Sequence, residues 1–419
     1  MRRTCSGPDV MRSKPMASGP YVGDAGARYL VITELFLPTK GGTAVWFDEV
    51  YRRLGEKEIH VVTSDVPGAA AHDREHPNSV HRIALRRLSW IRPESLVMYI
   101  KLFAVALRLA FKHPFDAVHA GRVLPEGLVA WLVARIRGLP CTIYAHGEEI
   151  TTWRQPGKFR VMRFTYRHAD RVIANSDFTR DELLKLGVPD SRISLIHPGV
   201  DLARFRPGLP TADLRSRIGI TEHQSLVLSI GRLSRRKGFD QVIKSLPRLV
   251  ERGLDVHYAV IGTGEDYRYL SDLAREQRVA DRTHLLGHVE PDELPRWINA
   301  ADVFAMPNRS INGDNEGFGM VFLEAAACGR AVVAGQDGGT GAAVIDGETG
   351  LRVPGGDLSA VTEALARLLG DAALAGSMGK AGLERARRDF AWERVADRTR
   401  CLDTAASRTV GWQGRRGCL

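Results

Sequence analysis

Short apolar runs, each followed by a turn or a helical pattern, recur along the whole chain. The first, RYLVITELFLPTKGG at 28–42, is apolar on both faces and ends at Pro38, Gly41 and Gly42, which predicts a buried strand and then a tight loop. A helix is expected from Thr43 to Leu54. The runs EIHVVTS, FDAVHA, LPCTIYAH, RVIANS and ISLIHPG continue the rhythm, and strands apolar on both faces signal a parallel sheet covered by helices. The rhythm restarts with SLVLSIGRL, VHYAVIGTG, THLLGH, DVFAMPN, AVVAG and GLRV, giving a second sheet of the same kind. The expected fold class is α/β, with two doubly wound Rossmann-like domains facing each other across a cleft. Ligands of open parallel sheets bind at the carboxyl ends of the strands, so a site belongs in that cleft.

Between the two series, VDLARFRPGLPTAD at 200–213 breaks every periodicity with two prolines and a glycine, and is read as the joint. The organisation that follows is a disordered leader at 1–27, an N-terminal domain at 28–205, a C-terminal domain at 206–387, a helix at 388–405 crossing back to the first domain, and a tail at 406–419. The last helix is expected near Ala391 to Thr404.

Composition narrows the range of partners. With 44% hydrophobic and 26% charged residues the chain is an ordinary folded protein and not a disordered one. A formal net charge of +10 points to an acidic partner: nucleic acid, anionic lipid or a phosphorylated small molecule. The basic residues form no nucleic-acid module and lack an interleaved aromatic platform, so no nucleic-acid partner is expected. The five cysteines have no Cys-x-x-Cys spacing, which indicates neither a zinc site nor a disulfide framework and fits a reducing cytoplasm. No charge-free apolar run reaches the ~20 residues that a membrane-spanning helix needs.

Two segments carry chemistry. In NEGFGMVFLEAAACGRAVVAG, Glu316 and Glu324 flank a glycine-rich turn and a helix start. If Gly317 and Gly319 keep Glu316 in the loop, the helix begins near Met320 and its free N–H groups point into the cleft. The competing reading of two glutamates at this spacing is a solvated helix face, but the small and apolar residues around them oppose it. In SIGRLSRRKGFD, a strand delivers Arg232 and Lys237 on a glycine-bounded loop that leads into a helix, an arrangement suited to a diphosphate. The competing reading is a solvated basic turn.

With the early glycine loop (Gly41, Gly42), the AHG segment at His146 and the HPGVD run from His197 to Asp201, these segments resemble the retaining GT-B glycosyltransferases of glycosyltransferase family four. The resemblance covers about Arg28 to Thr404. It implies transfer of a mannose- or glucose-type hexose from a nucleotide diphosphate sugar to a hydroxyl of a glycan or lipid acceptor in cell-envelope glycoconjugate or polysaccharide biosynthesis. It implies that Arg232 and Lys237 hold the donor diphosphate and neutralise the leaving group, and that Glu324 accepts hydrogen bonds from the nucleotide ribose. Glu316, with the backbone of Gly317, Phe318 and Gly319, grips the transferred sugar; His146 reaches that sugar from the opposite domain, and Gly42 approaches donor phosphate and acceptor. The catalytic set implied is Arg232, Lys237, Glu316 and His146, with no metal and no cofactor beyond the nucleotide sugar itself.

The chain departs from the family where members usually show Gly-Gly-x-Pro-Glu: here DGGTGAAV puts Gly341 and Ala342 in place of the Pro-Glu pair, while Gly338 and Gly339 remain. Arg309 resembles the corresponding position of the lipid-acting mannosyltransferase branch. The GTGE turn at 262–265 and the strand histidines His60, His119, His257 and His284 are read as structural. The stretch RRLSWIRPESLVMYIKLFAVALRLAFKH, with Glu94, Lys101 and Arg108 seven residues apart, reads either as a helix packed on its sheet or as a basic amphipathic surface for anionic lipid. The second reading implies peripheral contact with the inner face of the membrane. A nucleotide-sugar epimerase of the same architecture is the rival activity; it needs acid and base groups around the sugar ring and no acceptor.

Overall fold

A computed structural model describes residues 26–85, 96–153 and 155–413, with side chains described as far as Leu402. Most of the expected leader, Glu94 and the end of the tail lie outside the described residues.

The first sheet has seven parallel strands in the order β3-β2-β1-β4-β5-β6-β7: β1 (Tyr29–Ile32), β2 (His60–Ser64), β3 (Ser79–Ile83), β4 (Ala117–Ala120), β5 (Cys141–Ala145), β6 (Arg171–Ala174) and β7 (Ile193–Leu195). The second has six in the order β10-β9-β8-β11-β12-β13: β8 (Ser225–Ile230), β9 (Val256–Ile261), β10 (Thr283–Gly287), β11 (Val303–Met306), β12 (Ala331–Gly335) and β13 (Gly350–Val353). In both, the order reverses beside the first strand, which opens a crevice at the strand ends. The central strands β1, β4, β5, β9, β11 and β12 are wholly buried, which explains why their sequences are apolar without alternation.

One strand was not legible in the pattern. β3 reads SVHRI, pairs with β2 at the sheet edge, and every residue in it is only partly buried. An edge strand with a wet face carries polar residues and so lacks the apolar signature of its neighbours.

Helices cover both faces of each sheet. On one face of the first sheet the helix Gly42–Leu54 contributes Trp46, Phe47, Val50 and Tyr51 to a core that also takes Trp392, Val395 and Ala396 from the chain's last helix. That last helix runs Trp392–Gln413, beyond the Thr404 where it was expected to end, because no proline or glycine interrupts it before Gly411. The opposite face is packed by the helices Leu96–Lys112, Leu128–Arg137 and Pro156–His168. A separate core fills the second half.

The chain crosses between the halves twice, and the crossings are tied together. Val200 N–H donates to the Phe390 carbonyl at 2.8 Å, and Val200 bridges Ala391. Gly199 fits beneath them only because it has no side chain: a Cβ there would lie 2.7 Å from the Trp392 ring and 2.8 Å from the Phe390 carbonyl oxygen. Gly199→Ala is therefore expected to lower stability by about 1–3 kcal/mol through overpacking. The urea midpoint measures this, and Gly356→Ala, with nothing within 4 Å, should leave it unchanged.

Candidate active site

The loop after β8 passes through a single tight turn at Arg235–Lys237 and enters the helix Phe239–Glu251 at Gly238, whose φ is 77°. A Cβ on Gly238 would sit 2.0 Å from the Pro307 carbonyl oxygen, so this glycine lets the loop rest on the backbone that follows β11. The turn sends Arg235 one way and brings Arg236 and Lys237 onto one carboxylate. Arg235 pairs with Asp266 at 3.1 Å and lies 3.2 Å over the Tyr269 ring. Arg236 donates to Glu316 Oε2 at 2.9 Å and reaches Asp314 at 3.2 Å. Lys237 donates to the same Glu316 oxygen.

Glu316 is only 12% exposed. Burial pushes its carboxyl pKa up, but Lys237 and then Arg236 outweigh that effect and hold it below the usual range. It is an ionised carboxylate with its partners in place, not a solvated helix face.

Arg232 stands apart from this cluster. Its side chain is 74% exposed and pairs with Glu265 at 3.1 Å. Arg236, and not Arg232 as expected, joins Lys237 on Glu316, because spacing within a tight turn does not reveal which side chain points inward. The available signal was the run of three cations. The GTGE turn that supplies Glu265 is structural, as expected: a Cβ on Gly262 would lie 1.9 Å from the Gly231 carbonyl oxygen, and one on Gly264 2.4 Å from that of Leu233.

The segment after β11 behaves as its glycines predicted. Gly319, with φ 85°, caps the helix Met320–Ala327, leaving Glu316 in the loop. Among the described residues no acceptor receives the N–H groups of Phe318 and Gly319. The Phe318 side chain turns away, stacked on His197 with centroids 5.5 Å apart. Gly339 N–H donates to the Glu316 carbonyl at 2.7 Å, and a Cβ on Gly338 would fall 2.3 Å from that oxygen, so the two glycines left from the departed motif brace this loop. Glu324 lies one turn into this helix, and its side chain makes no hydrogen bond among the described residues. Burial pushes its pKa up to about 7, partly opposed by Arg204 from the joint.

The first half faces this cluster at close range. His146, at the end of β5, donates from Nε2 to the Gly121 carbonyl at 2.8 Å, and its ring stands edge-on to Trp46 and Phe47. Its own carbonyl accepts from Asn175 Nδ2 at 3.1 Å and lies where a Cβ on Gly317 would come within 2.1 Å. Ser176 Oγ donates to the Gly317 carbonyl at 2.8 Å. Gly42 opens the first helix opposite Met320; a Cβ on it would meet the Met320 sulfur at 2.8 Å. Two helix N-termini, Gly42 and Met320, thus meet beside Glu316, Lys237 and His146. Next to them is a cavity of about 260 Å³ lined by Arg122, Glu148, Glu149, Thr152, Trp153 and Asp314, residues of both halves. Glu148 and Glu149 follow His146 at the strand end that the sequence places toward the cleft, whereas Arg122, Thr152, Trp153 and Asp314 carry no motif.

The family described as "Glycosyl transferases group 1" matches residues 211–385, and "Glycosyltransferase Family 4" matches residues 40–204. The chain is 32% identical over 367 residues to the GDP-mannose-dependent alpha-(1-6)-phosphatidylinositol monomannoside mannosyltransferase of Mycolicibacterium smegmatis, covering 87% of this chain and 94% of that protein. It is also 32% identical to the D-inositol 3-phosphate glycosyltransferase of Thermobifida fusca, covering 85% of this chain and 87% of that one. Among solved structures, HepE of Anabaena in complex with UDP superposes with a TM-score of 0.77 at 20% identity, covering 91% of this chain and 100% of that chain. Sucrose-phosphate synthase from Thermosynechococcus elongatus superposes with a TM-score of 0.76 at 24% identity, with the same coverage. At these identities the two structures bear on the fold alone.

Glu324 gives the site a pH signature. Its folded pKa, about 7 against an ordinary 4.5, means the folded state keeps a proton that the unfolded chain has lost, so stability falls as pH rises across that window. Glu324→Gln should stabilise the free protein at pH 8 by roughly 2–3 kcal/mol and have little effect at pH 4, as read by denaturant unfolding at the two pH values.

Proposed function

This chain belongs to the glycosyl transferases group 1, glycosyltransferase family 4, and is a hexosyltransferase of glycoconjugate biosynthesis; we propose that it moves mannose from GDP-mannose to a hydroxyl of a phosphoinositide-type lipid acceptor, with retention of configuration. The donor and acceptor classes are those of its relatives, one acting on phosphatidylinositol monomannoside and the other on D-inositol 3-phosphate. Both are transferases, and neither supports the epimerase reading.

The observation that carries the catalytic reading is the buried carboxylate held by two cations opposite His146. In this reading the donor diphosphate competes with Glu316 for Lys237, and Arg232 swings from Glu265 onto the same phosphates. The bond from C1 to the phosphate oxygen breaks, the acceptor hydroxyl oxygen bonds C1 on the same face, and its proton passes to the departing phosphate oxygen. Lys237 and Arg232 neutralise the developing charge, so no metal is called for. Glu316 and the unpaired amides of Phe318 and Gly319 then hold sugar hydroxyls, and Glu324 the ribose.

A lipid acceptor requires access to a membrane. No helix among the described residues is long and apolar enough to cross one. Of the ten large hydrophobics exposed among the described residues, seven lie on the three helices that cover one face of the first sheet: Leu96, Ile100, Phe111, Leu132, Ile136, Val161 and Phe164. Exposed Lys101, Arg108, Lys112, Arg135 and Arg163 surround them. The anionic-lipid surface is therefore read on three helices, not on Leu96–Lys112 alone.

Transfer from GDP-mannose to phosphatidylinositol acceptors, followed by product isolation and anomer assignment, tests the activity. Lys237→Ala is expected to lower kcat/KM by about 100- to 1,000-fold and Glu316→Gln by at least about 10-fold, while added magnesium or manganese leaves the wild-type rate unchanged. Full activity in Glu316→Gln would remove that residue from the site. The wild-type chain should co-sediment with anionic but not neutral vesicles, and Phe111→Asp with Ile136→Asp should abolish this without loss of transfer to a water-soluble acceptor. Vesicle binding by the double variant equal to wild type would end the membrane assignment.

A further inference from the structure

Asp48 lies midway along the helix Gly42–Leu54 and is fully buried. His72 and His76 stand four residues apart at the end of the helix Ala69–Glu75, a spacing that puts both rings on one face. Asp48 Oδ1 is 2.8 Å from His72 Nε2 and 3.3 Å from His76 Nε2, and the three atoms lie within 4.8 Å of one another. Closeness here is not hydrogen bonding: both Asp48 oxygens and His76 Nε2 are buried with no hydrogen-bond partner. Three ligand atoms that crowd together with misdirected N–H axes behave as ligands of a point between them. Bonds of about 2.0–2.1 Å in a tetrahedron leave neighbouring ligand atoms about 3.3 Å apart, and the observed separations bracket that spacing.

We propose that Asp48, His72 and His76 bind a divalent transition-metal ion of the zinc type, with a structural role separate from the transfer chemistry. Two imidazoles and a carboxylate suit zinc, and His72, 21% exposed, leaves a solvent-side fourth position. The surroundings complete the shell. Asp73 Oδ1 is 3.3 Å from His72 Nδ1, and Asp73 is itself held by Arg82 at 3.0 and 2.8 Å, the carboxylate-to-histidine support that orients a metal-bound ring. The neighbouring cation is Arg52, 3.6 Å from Asp48 Oδ2 and partly exposed. His76 Nδ1 accepts the Asn78 N–H at 3.2 Å, so loading through Nε2 moves the ring proton to Nδ1 and gives up that one bond. The ion would clamp the helix that begins at Gly42 to the Ala69–Glu75 helix, fixing the first glycine loop from behind.

The test uses the tag-free full chain, stripped with chelator and titrated with zinc chloride, with bound metal measured after gel filtration. About one zinc per chain is expected, with a rise in Tm that Asp48→Asn lacks. His72→Ala, at the partly exposed ligand, should weaken zinc binding by at least about 100-fold and Asp73→Asn by about 10- to 100-fold, while His60→Ala in a different histidine cluster leaves it unchanged. Wild-type affinity no higher than that of His72→Ala, or an equal loss in His60→Ala, overturns the proposal.

Discussion

A carboxylate removed from water must be matched by cations, and Glu316 is where this molecule meets that requirement. Its partners, Arg236 and Lys237, come from the loop after β8, whereas Glu316 follows β11, so one ion cluster ties together the carboxyl ends of two adjacent strands at the centre of the second sheet. The loops approach closely enough for this because glycines remove the side chains that would collide, at Gly238 against Pro307 and at Gly338 and Gly339 against Glu316 and Gly317. In the proposed reaction the donor diphosphate meets cations already positioned by a carboxylate, which is preorganisation in the electrostatic sense.

The contact between halves follows the same logic. Across the cleft, backbone rather than side chain sets the closest approach: Gly317 against the His146 carbonyl and Gly42 against Met320. Orphan amides at the Met320 helix start, and the first helix opposite, leave hydrogen-bond donors facing a common space. That arrangement suits a sugar and its phosphates, as does the mainly polar lining of the neighbouring cavity, to which Arg122, Glu148, Glu149 and Asp314 contribute.

The two faces of the first sheet do different work. One is sealed by the Gly42–Leu54 helix and the last helix of the chain, so the loop that meets Met320 is backed by a packed core whose Phe36 lies against His72 and His76. The other turns Ile100, Phe111, Ile136 and Phe164 outward among basic residues, a surface that water alone does not favour.

The sequence by itself determined the two parallel sheets, because strands buried on both faces must be apolar throughout and their helices must alternate with them. It also determined the glycine loops and the place of Glu316 outside its helix, since Gly317 and Gly319 permit backbone that other residues resist. It could not show β3, whose edge position relaxes the hydrophobic demand, nor the length of the last helix. Only the tertiary structure decided that Arg236 rather than Arg232 joins Lys237 on Glu316, that Arg122 and Trp153 line a cavity, and that Asp48 meets two histidines from another helix. Pattern and propensity act over a few neighbouring residues, whereas these pairings depend on where separate loops come to rest once both sheets have packed.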